Sequence, residues 1–325
     1  MRLRLSIAVA AAMLVAPFLS TASNAQEWPQ RTVRIVVGYG AGGGTDLVGR
    51  IVAQALQEKL GQPVVVENRA GASGIIGAES VARADKDGYT LYLVNNAHII
   101  VGVMNKKLPY DTIASFDPVG QVATGSLALV ARPDFPAKDV KELIALAKAS
   151  PGKITFASVG NGTTQHFTGK LFMQIAGVQM LHVPFRNSPA ALSGVLGKHV
   201  DVMFDTVSAV LGPVQSGELK PLAVTGRERF PATPAVPTGI ESGLLPDYEV
   251  TTWYGLVAPA GTPRPVLEKL NKALNEIVTD NVVKERMAKA GAVAAASSID
   301  GFRDHMTAEF KRWGAVREAA KIEQQ

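Results

Sequence analysis

The chain has no cysteine. That excludes disulfides, thiolate-bound metals and cysteine nucleophiles together, so the fold must rest on its apolar core. Charge of one sign is also scarce in blocks: without residues 1 to 25 there are 31 basic and 28 acidic residues, a net +3. No basic run suggests a nucleic-acid partner. Beyond the N-terminal segment no apolar run reaches the about 18 residues of a membrane span. His, Asp and Glu nowhere take zinc-ligand spacing, and neither a G-x-S-x-G nucleophile elbow nor a P-loop lysine occurs. No metal and no cofactor are expected.

The first residues are informative. Arg2 and Arg4 precede the apolar run Leu5 to Leu19, and Ser23-Asn24-Ala25 offers small residues for cleavage before Gln26. This predicts a cleaved secretory signal over residues 1–25 and a periplasmic location. The arginines are not adjacent, so the twin-arginine export signal is missing and the chain is expected to cross the membrane unfolded, without a cofactor loaded beforehand. The 300 residues that remain suggest about two domains of roughly 150 each.

The strand Val33 to Val37 runs into Gly38-Tyr39-Gly40-Ala41-Gly42-Gly43-Gly44-Thr45-Asp46, with five glycines in seven positions. Apolar spacing then predicts a helix over Leu47 to Leu60, a strand at Val64 to Val66, a helix over Ile75 to Ala84 and a strand at Tyr89 to Val94. Asn95-Asn96-Ala97-His98 follows at the carboxyl end of that strand, where open α/β sheets place ligands. Val119 to Ala131 reads as a strand crossing into a second lobe. There the pattern repeats: a helix over Val140 to Ala149, a strand at Lys153 to Ser158, then the loop Val159-Gly160-Asn161-Gly162-Thr163-Thr164-Gln165-His166 and a helix to about Ala176. Strands at Met180 to Phe185, Val200 to Phe204 and Leu219 to Thr225 follow, with a helix at Pro189 to Leu196 and another after Asp205-Thr206. Val250 to Ala258 leads back, and helices over Pro263 to Val278 and Ile299 to Arg317 close the first lobe. The expected architecture is α/β throughout.

A glycine loop between strand and helix lets backbone N–H groups approach an anion at the helix N-terminus. Gly38-Tyr39-Gly40-Ala41-Gly42-Gly43 matches G-x-G-x-x-G, and Glu67 ends the next strand, which leaves an exported dinucleotide-binding oxidoreductase as one reading. One dinucleotide does not need a second glycine and hydroxyl loop in a second lobe. A small anion clamped between lobes does.

Residues 31–46, Glu67-Asn68-Arg69-Ala70-Gly71-Ala72-Ser73-Gly74-Ile75-Ile76-Gly77-Ala78 and Asp87-Gly88-Tyr89-Thr90-Leu91 resemble the Bug family, the binding components of tripartite tricarboxylate transporters. Ser158 to His166 is similar to the family's second ligand loop. Val183-Pro184-Phe185-Arg186, Gly197 to Asp205 and Leu222-Ala223-Val224-Thr225 continue the match in order. The resemblance implies a type II periplasmic-binding-protein fold, two α/β lobes joined by two crossing strands, with a ligand carboxylate in the cleft between the glycine loops. It sets lobe 1 at residues 26–125 and 252–325 and lobe 2 at residues 126–251. The chain departs from the family at Gly38-Tyr39, where Pro-Phe is frequent, and at Asn95, Asn96 and His98, where small or hydroxylic residues are common.

Each candidate ligand residue has a structural alternative. Gly40, Ala41, Gly42, Gly43, Gly160 and Gly162, with Thr45, Ser158 and Asn161, belong to the two anion loops or simply make their turns. Thr163 and Thr164 offer hydroxyls to a carboxylate and also suit a helix cap. Asp46 is expected to cap its helix or order water rather than meet an anion. Asp205 suits an amine or hydroxyl on the ligand, or a structural cap. His166 suits a carboxylate or a helix's first turn, Asn96 lies where the cleft is expected, Arg186 suits a second carboxylate or solvent, and Tyr39 suits an apolar part of the ligand. His98 is a weaker candidate, and His182, His199 and His305 read as structural. The predicted protein is a monomeric, non-catalytic receptor for a small carboxylated compound, handing it to membrane permease subunits. A receptor that signals to a sensor instead would look the same in sequence.

Overall fold

The protein's computed structural model describes residues 28–243, 248–319 and 324. The predicted signal segment lies outside the described residues. Strand β1 (Val33–Val37) alternates its faces: Val33, Ile35 and Val37 point to one buried cluster and Val36 to another. It is therefore covered on both sides. Helix α1 (Gly44–Leu60) lays Val48, Val52 and Leu56 on the first face and stops at Gly61, whose φ of +67° forms a left-handed cap. Strand β2 (Val64–Asn68), helix α2 (Ile75–Ala82) and strand β3 (Thr90–Asn95) follow, with β2 and β3 parallel to β1 on either side.

Helix α3 (Asn96–Met104) was not legible as a helix in the sequence. Eight of its nine residues are buried, so it shows no polar face and no amphipathic period. Strand β4 (Phe116–Ala131) begins earlier than its apolar run suggests and carries irregular register near Pro118 and Gln121. Then come α4 (Val140–Ala149), β5 (Thr155–Ser158), α5 (Thr164–Ala176), β6 (Leu181–Pro184), α6 (Ser188–Leu196), β7 (Val202–Thr206), α7 (Val207–Gln215) and β8 (Lys220–Val224). Strand β9 (Thr251–Pro259), helix α8 (Arg264–Thr279), helix α9 (Asn281–Lys289), the short strand β10 (Val293–Ala294) and helix α10 (Ile299–Ala319) complete the chain. Helix α9 also escaped the sequence pattern; it is one short element whose start is capped by Asp280, accepting from the Val282 and Val283 N–H groups.

Strand β4 joins two sheets. Residues Phe116 to Ser126 pair with β9, which in turn pairs with β3, while Leu127 to Ala131 pair with β7 and β8. Strands β5 and β6 extend the second sheet parallel to β7. At the seam, Thr225 accepts the Leu127 N–H at 3.1 Å and donates to the Val250 carbonyl at 2.5 Å, while the Gly226 N–H donates to Ser126 Oγ at 3.0 Å. These bonds tie the outgoing and returning strands together. The result is two α/β lobes of the type II periplasmic-binding-protein architecture. In lobe 1, α1, α8 and α9 cover one sheet face and α2, α3 and α10 the other. In lobe 2, α4 and α5 cover one face and α6 and α7 the other.

Helix α5 also reaches across. Phe167 on its first turns belongs to the lobe 1 cluster and meets the Trp313 ring of α10 edge-on at 6.3 Å. Ser208 Oγ donates to the Gly291 carbonyl at 3.0 Å, and Ser73 Oγ donates to the Asn161 carbonyl. The lobes are in contact on both sides of the cleft.

Candidate functional site

Both sheets aim the carboxyl ends of their parallel strands at the space between the lobes. Five helices therefore begin there. The cavity is lined by Gly43, Gly44 and Thr45 at the start of α1, by Asn95 and Ala97 at α3, by Thr164 and Gln165 at α5, by Asn187 and Ser188 at α6, and by Thr206 at α7. Each helix N-terminus carries about half a positive charge and unpaired N–H groups. Their convergence makes an anion site without a buried cation.

On the lobe 1 side, the helix start at Gly43 has no side-chain cap, so its N–H groups stay available. Gly42, with φ of +84°, turns the loop, a conformation that disfavours any β-carbon. Asp46 does not face the cavity. It is buried, accepts the Gly42 N–H at 2.9 Å and the Asn68 amide at 2.9 Å, and pairs with Arg50 at 3.0 Å. Burial alone would raise its pKa, but Arg50, the Gly42 N–H and Asn68 outweigh it and hold the carboxyl below its usual range. Thr45 Oγ1 accepts from Asn95 Nδ2 at 3.0 Å, while Asn95 Oδ1 caps α3 at the Ala97 N–H.

On the lobe 2 side, Thr163 caps α5: its Oγ1 donates to the Gly160 carbonyl at 2.8 Å and accepts the His166 N–H. Thr164 Oγ1 is buried and has no partner among the described residues, and Thr164 lines the cavity. Ser158 holds the loop, with Oγ 3.1 Å from the Gly160 carbonyl and 2.6 Å from His182 Nε2. His166 Nδ1 accepts the Gly162 N–H at 3.2 Å, and its ring stacks on His182 at 4.2 Å. Burial lowers the pKa of both rings to about 4, with Lys170 adding to both and His182 to His166. Both are neutral at pH 7. A neutral His166 whose Nδ1 is an acceptor supports the loop rather than offering a cation to an anion.

Directly behind the lining residues Gln165, Ser188 and Thr206 sits Asp205, fully buried near the end of β7. Its Oδ1 accepts the Thr206 N–H at 2.7 Å and Gln165 Nε2 at 2.9 Å. Burial raises its pKa, more than Gln165, Ser188 and Thr206 lower it. At the rim, the Arg186 side chain is exposed and lines the same cavity.

Of the residues singled out in sequence, Tyr39, Gly40, Gly43, Thr45, Thr164 and Arg186 line this cavity together. Asn161, Gly162 and His166 instead line a neighbouring cavity between α3 and α5. Ala41 and Gly42 are exposed at the tip of their loop. Ser158, Gly160, Thr163, Asp46 and Asp205 form the bonds that shape the walls. Asn96 is buried, donating to the Thr251 carbonyl at 3.1 Å and accepting from Thr252 Oγ1 at 3.0 Å, so it anchors β9 rather than facing a ligand. His98 is likewise internal, 2.9 Å from the Thr112 carbonyl. Gly44, Gln165, Asn187, Ser188, Thr206 and Thr252 were missed. Asn187-Ser188-Pro189 is a helix-start signature, with Asn187 accepting the Ala190 N–H at 2.9 Å, and it was available in the sequence. The Glu67 carboxylate is engaged by Arg69 at 2.7 Å, away from the cavity. Among the described residues no His, Asp and Glu group is placed to hold a metal ion, and no helix is long and apolar enough to cross a membrane.

Comparison with known proteins agrees with this geometry. The sequence model of the tripartite tricarboxylate transporter family receptor matches residues 48–322. Protein BugT of Bordetella pertussis is 35% identical over 317 residues, covering 97% of this chain and 95% of that protein. The solved structure of the periplasmic binding protein BugD superposes with a TM-score of 0.87 at 36% identity, over 92% of this chain and 100% of that one. The structure of R. palustris Rpa4515 with adipate superposes with a TM-score of 0.89 at 31% identity, over 92% of this chain and 100% of that one.

Proposed function

The chain belongs to the tripartite tricarboxylate transporter receptor family, and we propose that it is a periplasmic solute receptor that closes its lobes on a small carboxylated organic compound. The family is one of periplasmic binding proteins, and a relative has been solved with adipate. The observation that carries the reading is the convergence of five helix N-termini on one cavity that holds no buried cation. A carboxylate there accepts N–H groups from the α1 loop of lobe 1 and from α5 of lobe 2, so each lobe supplies part of the site and binding favours the closed form. Thr45 and Thr164 add hydroxyls, Tyr39 covers the ligand's apolar part, and Arg186 meets a second anionic group at the rim. The protein acts as a non-catalytic monomer. Lobe 1, residues 26–125 and 252–325, and lobe 2, residues 126–251, move about the β4 seam, and the loaded form delivers its ligand to the membrane permease after export by a cleaved signal segment.

The test uses the mature chain, freed of any co-purified compound by unfolding and refolding. Thermal shift is recorded with a panel of mono-, di- and tricarboxylates beside NAD(H) and NADP(H). Stabilisation by one or more carboxylates and by neither nucleotide is expected. Stabilisation by a nucleotide alone would reverse the assignment in favour of a dinucleotide enzyme.

A further inference from the structure

Asp205 presents a conflict within an anion site. Its side chain is fully buried, and only one of its two carboxylate oxygens is satisfied. Among the described residues Oδ2 has no hydrogen-bond partner and no cation pairs with the group. The residues around the carboxylate, Gln165, Ser188 and Thr206, all line the cavity. Nor is the oxygen alone: among the described residues Thr164 Oγ1, Thr206 Oγ1 and Tyr254 OH are also buried and make no hydrogen bond of full geometry, although Thr206 lies close to both Asp205 and Tyr254. Thr164 and Thr206 line the cavity, and the Tyr254 hydroxyl is close enough to Asp205 to feel its charge. Buried polar groups in a finished protein are almost always paired, so a cluster of orphans beside a cavity marks a place that something else fills.

The conflict lies in the signs. The helix N-termini at α1 and α5 favour a carboxylate, yet Gln165 in the first turn of α5 already holds Asp205, so two anionic groups would sit against the same helix start. A plain carboxylate ligand would place its charge beside an unpaired buried carboxylate, which repulsion in a low-dielectric site opposes. A ligand that carries a donor next to its own carboxylate removes the clash.

We propose that Asp205 reads a hydrogen-bond donor on the ligand, an ammonium or hydroxyl on the carbon beside the bound carboxylate, so that the site prefers α-amino or α-hydroxy carboxylates to the same acids without that group. The inference rests on the receptor reading above and narrows it to a ligand class. Oδ2 accepts from the donor, and the orphaned hydroxyls of Thr164 and Thr206 complete the polar end of the pocket.

Calorimetric titration of the ligand-stripped protein with matched trios tests it: propionate, lactate and alanine; succinate, malate and aspartate; 3-phenylpropionate, 3-phenyllactate and phenylalanine. In at least one trio a donor-bearing acid is expected to bind tenfold or more tighter than its donor-free member, about 1.4 kcal/mol. The hydroxy and amino arms separate the two donor types. In Asp205→Asn, Oδ1 keeps its bonds to Thr206 and Gln165, so the amide nitrogen replaces the free Oδ2 and turns an acceptor into a donor. The preference should fall to threefold or less, with the melting temperature of the free protein confirming the fold. The wild-type ratio stands without the variant. Donor-free acids binding as tightly as their partners in every trio, or an undiminished preference in Asp205→Asn, would overturn the inference and leave the receptor assignment standing. Absence of binding by every carboxylate would overturn both.

Discussion

A β-carbon at Gly44 would lie 2.3 Å from the hydroxyl oxygen of Thr206 and 3.1 Å from its β-carbon. Gly44 opens helix α1 in lobe 1 and Thr206 ends strand β7 in lobe 2, so the two lobes meet here at van der Waals limits. Ser208 adds a third contact at 3.2 Å from the same point. These are side-chain atoms of lobe 2 against the backbone of lobe 1, and the opening glycine is what permits the approach.

Gly44→Ala is therefore expected to impair closure while leaving each lobe intact. Alanine suits a helix start as well as glycine or better, so the melting temperature of the free protein should change little. Affinity for the carboxylate identified by the thermal-shift panel should fall about tenfold or more, equivalent to about 1.4 kcal/mol. Calorimetry measures the loss, and small-angle scattering of the loaded protein should report a more open form. Unchanged affinity would mean that the lobes do not close to this contact when loaded.

The adjacent threonines of the second loop separate stability from binding. Thr163 is buried and bonded on both sides, to the Gly160 carbonyl and the His166 N–H. Thr163→Ala removes a helix cap and should cost about 1 kcal/mol of stability by urea denaturation. Among the described residues Thr164 Oγ1 has no partner. Thr164→Val should leave stability unchanged or slightly higher, and weaken carboxylate binding several-fold. The double Thr163→Ala, Thr164→Ala variant should combine both losses, with binding severely reduced in a protein that still folds.

Acid should destabilise the protein through its histidines. His98 is buried against Tyr110 and Phe116, donating through Nε2 to the Thr112 carbonyl. Burial lowers its pKa from 6.5 to about 4. The folded state thus stays unprotonated where the unfolded chain binds a proton. Its contribution is complete above pH 6.5 and is lost as pH falls toward 4, by about 3 kcal/mol in all. His166 and His182 are shifted the same way to about 4 and steepen the decline in the same window. His98→Gln, less stable at pH 7, should show a shallower loss between pH 6.5 and 4 in urea titrations at fixed ionic strength. A stability profile flat across that window in the wild type would contradict the buried neutral imidazoles.

Elements with a clear period were legible in the sequence, and elements without one were not. Leu47, Ile51, Ala55, Leu56 and Leu60 announce α1 at helical spacing, although the face it buries deepest runs through Val48, Val52 and Leu56. Helix α3, buried almost all round, has no such signature, and the sequence signal at Asn95 and Asn96 was for a ligand loop rather than a helix start. The two glycine loops pointed to an anion because their chemistry is local. Asn187, Ser188 and Thr206 join the site only through topology: each begins a helix, and only the sheet order brings those starts to one point. Sequence proximity also left neighbours unseparated: of the two adjacent threonines singled out, Thr164 lines the cavity and Thr163 turns inward, and Asn96 turns inward while its neighbour Asn95 lines the cavity.

Asp46 shows how a residue that touches no ligand is expected to control binding. It is 2% exposed and sits at the centre of the first loop, joined to Gly42, Asn68 and Arg50. Asn68 donates onward to the Tyr39 carbonyl at 3.0 Å, so one carboxylate links the loop tip, the aromatic cover and helix α1. Asp46→Ala frees the Gly42 N–H and the Asn68 amide and leaves the half-exposed Arg50 without its partner. The free protein should lose about 2 kcal/mol of stability. Affinity should also fall, because N–H groups that must be ordered on binding hold a carboxylate less tightly than groups already in place. Asp46→Asn retains the acceptor for Gly42 but not the charge for Arg50, and should recover much of the affinity with less of the stability. Recovery of neither would show that the ion pair to Arg50, and not the bond to Gly42, sets the shape of the loop.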